Sequence, residues 1–250
     1  MSSILKSAAS GLLAQKYNLD VIANNIANIS TTGFKKSRAT FADAAYENAV
    51  VNAPETRTGT GVTIASAQRM FSQGSFAETG NPWDLAIAGD GFFQVALPDG
   101  RKAFTRDGSF QVDAQDRLTT GDGLLVDPPV TIPYGAENVT VDPNGAVSAD
   151  VNGQRVTLGN ISVVTFPNPE GLLAIGHNLY APSEASGDAQ AGQAGAGGRG
   201  QIVSGVLEGS NVDLAEEMTK AMEAQRAYQL SIKVLQTADE MLGLANNIRR

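Results

Sequence analysis

The chain has 250 residues, a formal net charge of −8, one histidine and no cysteine. These counts exclude a disulfide frame, a thiol nucleophile, a cysteine-ligated metal and a site built from several histidines of one chain. Charge is divided unevenly: +4 over residues 1–40, −11 over 41–210 and −1 over 211–250. An acidic body lacks the basic footprint of a nucleic-acid binder.

The apolar residues form no run of the ~18 needed to span a membrane, so no membrane insertion is expected. At the N-terminus they are periodic, not a block followed by a cleavage site, so export would proceed without a cleaved signal peptide. All 10 prolines fall between Pro54 and Pro182. Proline breaks helix interiors, which implies helical ends enclosing a non-helical middle.

Residues 3–29 read as the first helix. Leu5, Ala8, Leu12, Gln15, Leu19, Ile22, Ile26 and Ile29 alternate steps of three and four, a heptad seam. Ser2 or Ser3 is placed to cap it, and Ser30-Thr31-Thr32-Gly33 ends it, with Gly33 suited to a left-handed position. Asn24, Asn25 and Asn28 are poor helix formers; they mark either a fraying end or amides that bond neighbouring subunits.

Residues 34–70 read as an extended connector, with a short helical pattern over 41–50 and a polar stretch over 52–61. The period then changes to two. Strands are expected at 62–67, 85–88, 92–97, 103–106, 110–112, 139–141, 156–158 and 161–166. Pro98-Asp99-Gly100, Arg106-Asp107-Gly108, Gly121-Asp122-Gly123, Pro143-Asn144-Gly145 and Asn152-Gly153 supply turns between them. Residues 71–200 are therefore a mainly antiparallel β domain, with 183–200 a flexible surface segment rich in Ala, Gly, Gln and Ser. A strand over 202–207 leads, within 201–210, back to the C-terminal helix.

Residues 211–250 form that helix, started by Ser210 or Asn211. Leu214, Met218, Ala221, Tyr228, Ile232, Leu235 and Leu242 make one apolar stripe. Ala224, Ala227, Val234, Ala238, Met241, Ala245 and Ile248 make a second beside it. Two stripes on one helix of this length call for more than one neighbour. The fold class is α+β, with terminal helices pairing as a coiled coil around a central β domain.

Catalytic signatures fail in context. Gly195-Ala-Gly-Gly-Arg-Gly200 fits a dinucleotide fingerprint in spacing, yet a strand and not a helix follows it. The acidic turns of 113–122 lack the ligand order of a calcium loop. No serine occupies a Gly-x-Ser-x-Gly elbow, and no carboxylate pair is marked out for glycoside chemistry.

Ala23-Asn-Asn-Ile-Ala-Asn-Ile-Ser-Thr-Thr-Gly-Phe-Lys35 resembles the N-terminal signature of the bacterial flagellar rod and hook proteins. Asp84-Leu-Ala-Ile-Ala-Gly-Asp-Gly-Phe-Phe93 and Phe104-Thr-Arg-Asp-Gly-Ser-Phe110 are similar to the central β motif of that family. Ser204-Gly-Val-Leu-Glu-Gly-Ser-Asn-Val-Asp213, Ala224-Gln-Arg-Ala-Tyr228 and Thr237-Ala-Asp-Glu-Met-Leu242 resemble its C-terminal signature. Gly59-Thr-Gly-Val62, Thr131-Ile-Pro133 and Ile175-Gly-His-Asn-Leu-Tyr180 point within the family to distal rod members, with middle or proximal rod and hook-type members as alternatives. The stretch between Tyr46 and Gly61 is shorter than in many distal rod members.

The resemblance implies a structural subunit, not an enzyme, with no cofactor. It implies a homo-oligomeric hollow tube crossing the periplasm, and contacts with other rod and hook subunits, surrounding rings and the type III export apparatus. The assembly interface it implies comprises Leu5, Leu12, Leu19, Ile22, Asn24, Asn25, Ile26, Asn28, Gly33 and Phe34 at the N-terminal end. At the C-terminal end it comprises Leu214, Met218, Tyr228, Ile232, Leu235 and Leu242. A reading of a different class, from residues alone, is a soluble β binding domain on a coiled-coil oligomer.

Overall fold

The computed structural model describes residues 3–44, 46–48, 57–151 and 153–248. The chain divides into two compact units. The first joins Met1–Ala27, Lys36–Met70 and Val212–Arg250; the second joins Asn28–Lys35 and Phe71–Asn211. Among the described residues, no helix is long and apolar enough to cross a membrane.

In the first unit, helix α1 (Ser3–Ala27) packs antiparallel on helix α2 (Leu214–Ile248). Small side chains set the contact. Gly11 lies beside the Ser231 hydroxyl, and Ala14, Ala224 and Ala238 are buried. On α2 the covered line is Glu217, Ala221, Ala224, Tyr228, Ser231, Leu235 and Ala238, in steps of four and three. Asp213 caps α2: its Oδ1 accepts the Ala215 and Glu216 amides at 2.8 and 3.1 Å. Strand β1 (Ser37–Asp43) pairs antiparallel with β4 (Val62–Arg69), and β2 (Tyr46–Asn48) pairs with β3 (Arg57–Gly59). The Ser10 hydroxyl accepts the Val62 amide at 3.1 Å, tying β4 to α1.

In the second unit every strand pairing is antiparallel, and a short 3-10 turn covers Pro169–Gly171. Its strands are β5 (Phe76–Glu78), β6 (Leu85–Ala88), β7 (Phe92–Ala96), β8 (Lys102–Thr105), β9 (Phe110–Val112), β10 (Leu118–Thr120), β11 (Leu125–Val126) and β12 (Glu137–Val141). They continue with β13 (Ala146–Val151), β14 (Gln154–Asn160), β15 (Ser162–Thr165), β16 (Leu173–Gly176), β17 (Leu179–Ala181), β18 (Gln190–Gln193), β19 (Gln201–Ser204) and β20 (Val206–Glu208). The main sheet runs β16-β17-β8-β7-β11-β10-β9, with β15 bonded to β7 and β18. The strands β12-β13-β14 form a second sheet, and β6-β19 and β5-β20 are ribbons. The largest core holds Leu85, Ile87, Phe93, Phe110, Val147 and Ile161; a second packs Phe92, Phe104, Phe166 and Tyr180 around edge-on ring contacts.

Several expectations give way to tertiary pairing. Phe41–Asp43, expected as helix, lies in β1, because Phe41 pairs with Ile64 across a sheet; short apolar runs fit either period until a partner decides. The connector expected over 34–70 is largely paired strand, and its residues 49–56 lie outside the described residues. The 183–200 segment is not a loose loop: β18 pairs with β15, and Ser186 and Ala194 are buried. The strand expected over 202–207 is broken into β19 and β20 at Gly205, whose φ is +76°. The α2 cap is Asp213 in place of Ser210 or Asn211.

Candidate functional site

At the C-terminal end of α1, Asn25 is 1% exposed and fully engaged within the first unit. Its amide nitrogen donates to the Ser37 carbonyl at 2.8 Å and to Glu217 Oε2 at 2.9 Å; its oxygen accepts the Ser37 amide at 2.9 Å. One side chain thus joins α1, β1 and α2. Lys220 Nζ bonds both Glu217, at 3.0 Å, and Glu216, at 2.7 Å, and Lys36 adds a 2.8 Å pair to Glu216. Hydrogen bonds from Lys220 and then Lys36 pull the Glu216 carboxyl down to about 2.

In the second unit three charged residues are sealed from solvent. Lys35 Nζ donates to Glu208 Oε1 at 2.6 Å, and Arg106 Nη1 donates to Glu208 Oε2 at 3.2 Å. The Gly74 amide gives Oε1 a further bond at 2.9 Å; Lys35 also donates to the Ser72 carbonyl and Arg106 to those of Ile87 and Gly89, while Arg106 Nε is buried without a partner among the described residues. Burial pushes Lys35 and Arg106 below their ordinary values, with Glu208 opposing it in both. Gly33, at φ +68°, donates its amide to the Glu208 carbonyl at 2.7 Å. A Cβ at Gly33 would stand 2.6 Å from the Asp107 nitrogen, so only glycine fits. Phe34 is buried, and Asn28 folds back on Thr31 through side chain and carbonyl.

The expected interface residues therefore separate. Ile22 is buried, and Leu5, Leu12, Leu19, Ile26, Tyr228, Ile232 and Leu235 are half-buried within the chain. Asn24 is exposed. Leu214 and Met218 are exposed, and the Leu242 side chain lies outside the described residues. The covered line on α2 passes between the two expected stripes, because the Asn25–Glu217 bond and the small residues fix its rotation. An exposed apolar row winds round α2 at four-residue steps, through Leu214, Met218, Met222, Leu230 and Val234, with Leu230 65% exposed. Met241 and Leu244 extend it, and Leu13 is exposed on α1. Single exposed apolar residues are ordinary; several along one helix are less so.

Sequence periodicity and motifs give Arg106, Glu208 and Glu217 no part in a buried bond. The available signal was a glutamate closing an apolar strand at Val206-Leu207-Glu208. Among the described residues no group of three acidic, histidine or cysteine side chains is arranged to hold a metal ion. A cavity of about 370 Å³ in the second unit is lined by Phe71, Asp90, Phe92, Arg106, Phe166 and Pro167; Arg106 there is already committed to Glu208.

Three family models match along the chain. "Flagella basal body rod protein" covers residues 5–35, "Flagellar hook protein FlgE/F/G D1 domain" covers 86–149, and "Flagellar basal body rod FlgEFG protein C-terminal" covers 203–248. The flagellar basal-body rod protein FlgG of Borreliella burgdorferi is 44% identical, with 100% of each chain covered. Those of Caulobacter vibrioides and Bacillus subtilis are each 40% identical, with 98% of each chain covered. The chain belongs to the flagellar basal-body rod protein family. Its relatives are structural rod proteins, not enzymes. The three matched blocks of this rod protein contain the buried charge cluster: Lys35 lies in the first, Arg106 in the second and Glu208 in the third.

Proposed function

We propose that this rod protein is a distal rod subunit that polymerises with copies of itself into a hollow, torque-transmitting tube spanning the periplasm. The full-length similarity to FlgG proteins supports the distal position over middle, proximal or hook-type ones. One observation carries the assembly reading: the row Leu214, Met218, Met222, Leu230 and Val234 stays in water in the single chain. Covering such a row is favourable by roughly 25 cal/mol per Å² of apolar area.

In this reading the terminal helices form the inner layer and pair, coiled-coil fashion, with helices of adjacent copies. The β unit supplies the outer layer, whose neighbours are other rod and hook subunits and the surrounding rings. Subunits pass through the export apparatus before they polymerise. Electron microscopy of basal bodies from a deletion strain tests it. The expected result is a rod stopped short of its distal part and no hook; complete rods overturn the reading.

A further inference from the structure

Two surfaces of the second unit complement each other. The first is Tyr134, 97% exposed in a turn between β11 and β12. The Ala136 amide donates to the Pro133 carbonyl at 3.0 Å and Gly135 sits at φ +80°, as a type II turn requires. Both flanks are pinned. The buried Ile132 gives its amide to the Asp116 carbonyl at 2.6 Å, and Ala136 packs against the main core. A large ring is thus held out in water on a rigid support, and such a ring loses little entropy on contact. The other described tyrosine side chains are not so placed: Tyr17 and Tyr228 are half-buried and Tyr180 is buried.

The second surface is the cavity of about 370 Å³ beside Arg106. Phe71, Phe92, Phe166, Pro167 and Pro169 give it aromatic and proline walls, and Asp90 joins the lining. Asp90 is exposed, and its carboxylate forms no hydrogen bond or ion pair among the described residues. An open carboxylate calls for a donor. A cation is disfavoured, because Lys35 and Arg106 are already balanced by Glu208 and Asp90, two charges of each sign. An apolar body ending in a neutral O–H meets both demands, and tyrosine is that side chain.

We infer that Tyr134 of one copy enters this cavity of a second copy, with its hydroxyl donating to the Asp90 carboxylate and its ring packed among the phenylalanines. The inference rests on the tube reading above. Phe92 already meets Phe71 and Phe166 edge to face, at centroid separations of 5.3 and 5.9 Å, and an incoming ring extends the same packing. The cavity is lined by no residue of the Tyr134 turn, so knob and socket are different surfaces of one unit. Their contact is therefore heterologous and repeats from copy to copy instead of closing a dimer. An aromatic anchor seated in a preformed pocket is the form that interface hot spots take. Neither surface belongs to the terminal helices, so this contact adds to any that the helices make.

Benzoylphenylalanine, an aromatic photo-crosslinker, would replace Tyr134 in cells. Isolated basal bodies would then be irradiated and the linked peptides identified by mass spectrometry. The expected products are multimers of this chain, joined from position 134 to residues 71, 90–92 or 165–169. Assembled rods with no link, or with links elsewhere on the chain, would overturn the socket. A link to a different protein would overturn the second-copy assignment.

Should the bulkier ring block assembly, smaller substitutions decide. Tyr134→Ala should lose the distal rod and the hook while the purified chain keeps its unfolding midpoint. Tyr134→Phe, which keeps the ring, should retain both. Full-length rods from the alanine variant, or a phenylalanine variant equally defective, would overturn ring burial. Complete rods in the deletion strain would instead remove the tube reading beneath it.

Discussion

Glu208 holds Lys35 at 2.6 Å with both side chains fully buried, and the same carboxylate holds Arg106 at 3.2 Å. Two cations therefore share one anion in a dry site. This imbalance makes the three residues unequal. Removing Glu208 leaves two buried cations facing each other, whereas removing Lys35 leaves a matched pair. Glu208→Leu should cost about 3–5 kcal/mol, the range for breaking a buried pair, and Lys35→Met far less. Urea unfolding of the purified full-length variants measures both. Equal losses would show that the cluster does not act as a charge balance.

Gly33 sits at φ +68° with the Asp107 backbone where a Cβ would be. Gly33→Ala combines a left-handed backbone penalty with a backbone clash. The expected loss is about 1–3 kcal/mol or more, read as a lower denaturant midpoint. An unchanged midpoint would mean the chain can re-route around this position.

Glu216 is drawn from its ordinary 4.5 to about 2 by Lys220 and Lys36. A depressed carboxylate contributes stability that is complete above about 4.5 and is lost as pH falls toward 2. Glu216 is about half exposed, so screening keeps the contribution below ~1 kcal/mol. The stability difference between the parent chain and Glu216→Gln should be present at neutral pH, shrink below about 4.5 and vanish near 2. A difference independent of pH would contradict the assignment.

Arg199 covers strand β18, which among the described residues pairs with β15 alone. Its guanidinium donates to the carbonyls of Gln190, Ala191 and Ala196 at 3.1–3.4 Å. A Cβ at Gly192 would come within 2.5 Å of the Arg199 guanidinium carbon, and one at Gly197 within 2.9 Å of Nη1. The glycine-rich motif thus makes room for an edge plug. Exposed strand edges invite pairing between molecules. Arg199→Ala should raise concentration-dependent light scattering while leaving the circular dichroism spectrum unchanged; unchanged scattering would argue against an edge-blocking role.

The parts legible in the sequence were those with a local cause. Both helices, the left-handed Gly33 and the turns at Asp99-Gly100, Asp122-Gly123 and Asn144-Gly145 follow from periodicity and turn chemistry, whereas Asp107-Gly108 joins two strands that pair elsewhere. The rotation of α2 was not legible. Hydrophobicity places Leu214 and Met218 inward, yet small residues and the Asn25–Glu217 bond decide the covered face. The charge cluster was also hidden, since Lys35, Arg106 and Glu208 are far apart in sequence and only the fold brings them together. Short strands such as β10, β11 and β18 carry too few residues to show a period, and long-range partners specify them.

The most direct test of the central claim is to place a charge on the exposed row without touching the fold. Cells carrying Leu230→Asp would be examined by electron microscopy of their basal bodies, and the purified chain by denaturant unfolding. Leu230 is 65% exposed, so the unfolding midpoint should stay within ~0.5 kcal/mol of the parent while the rod stops short. Rods of full length bearing hooks would contradict the assignment of this face to assembly.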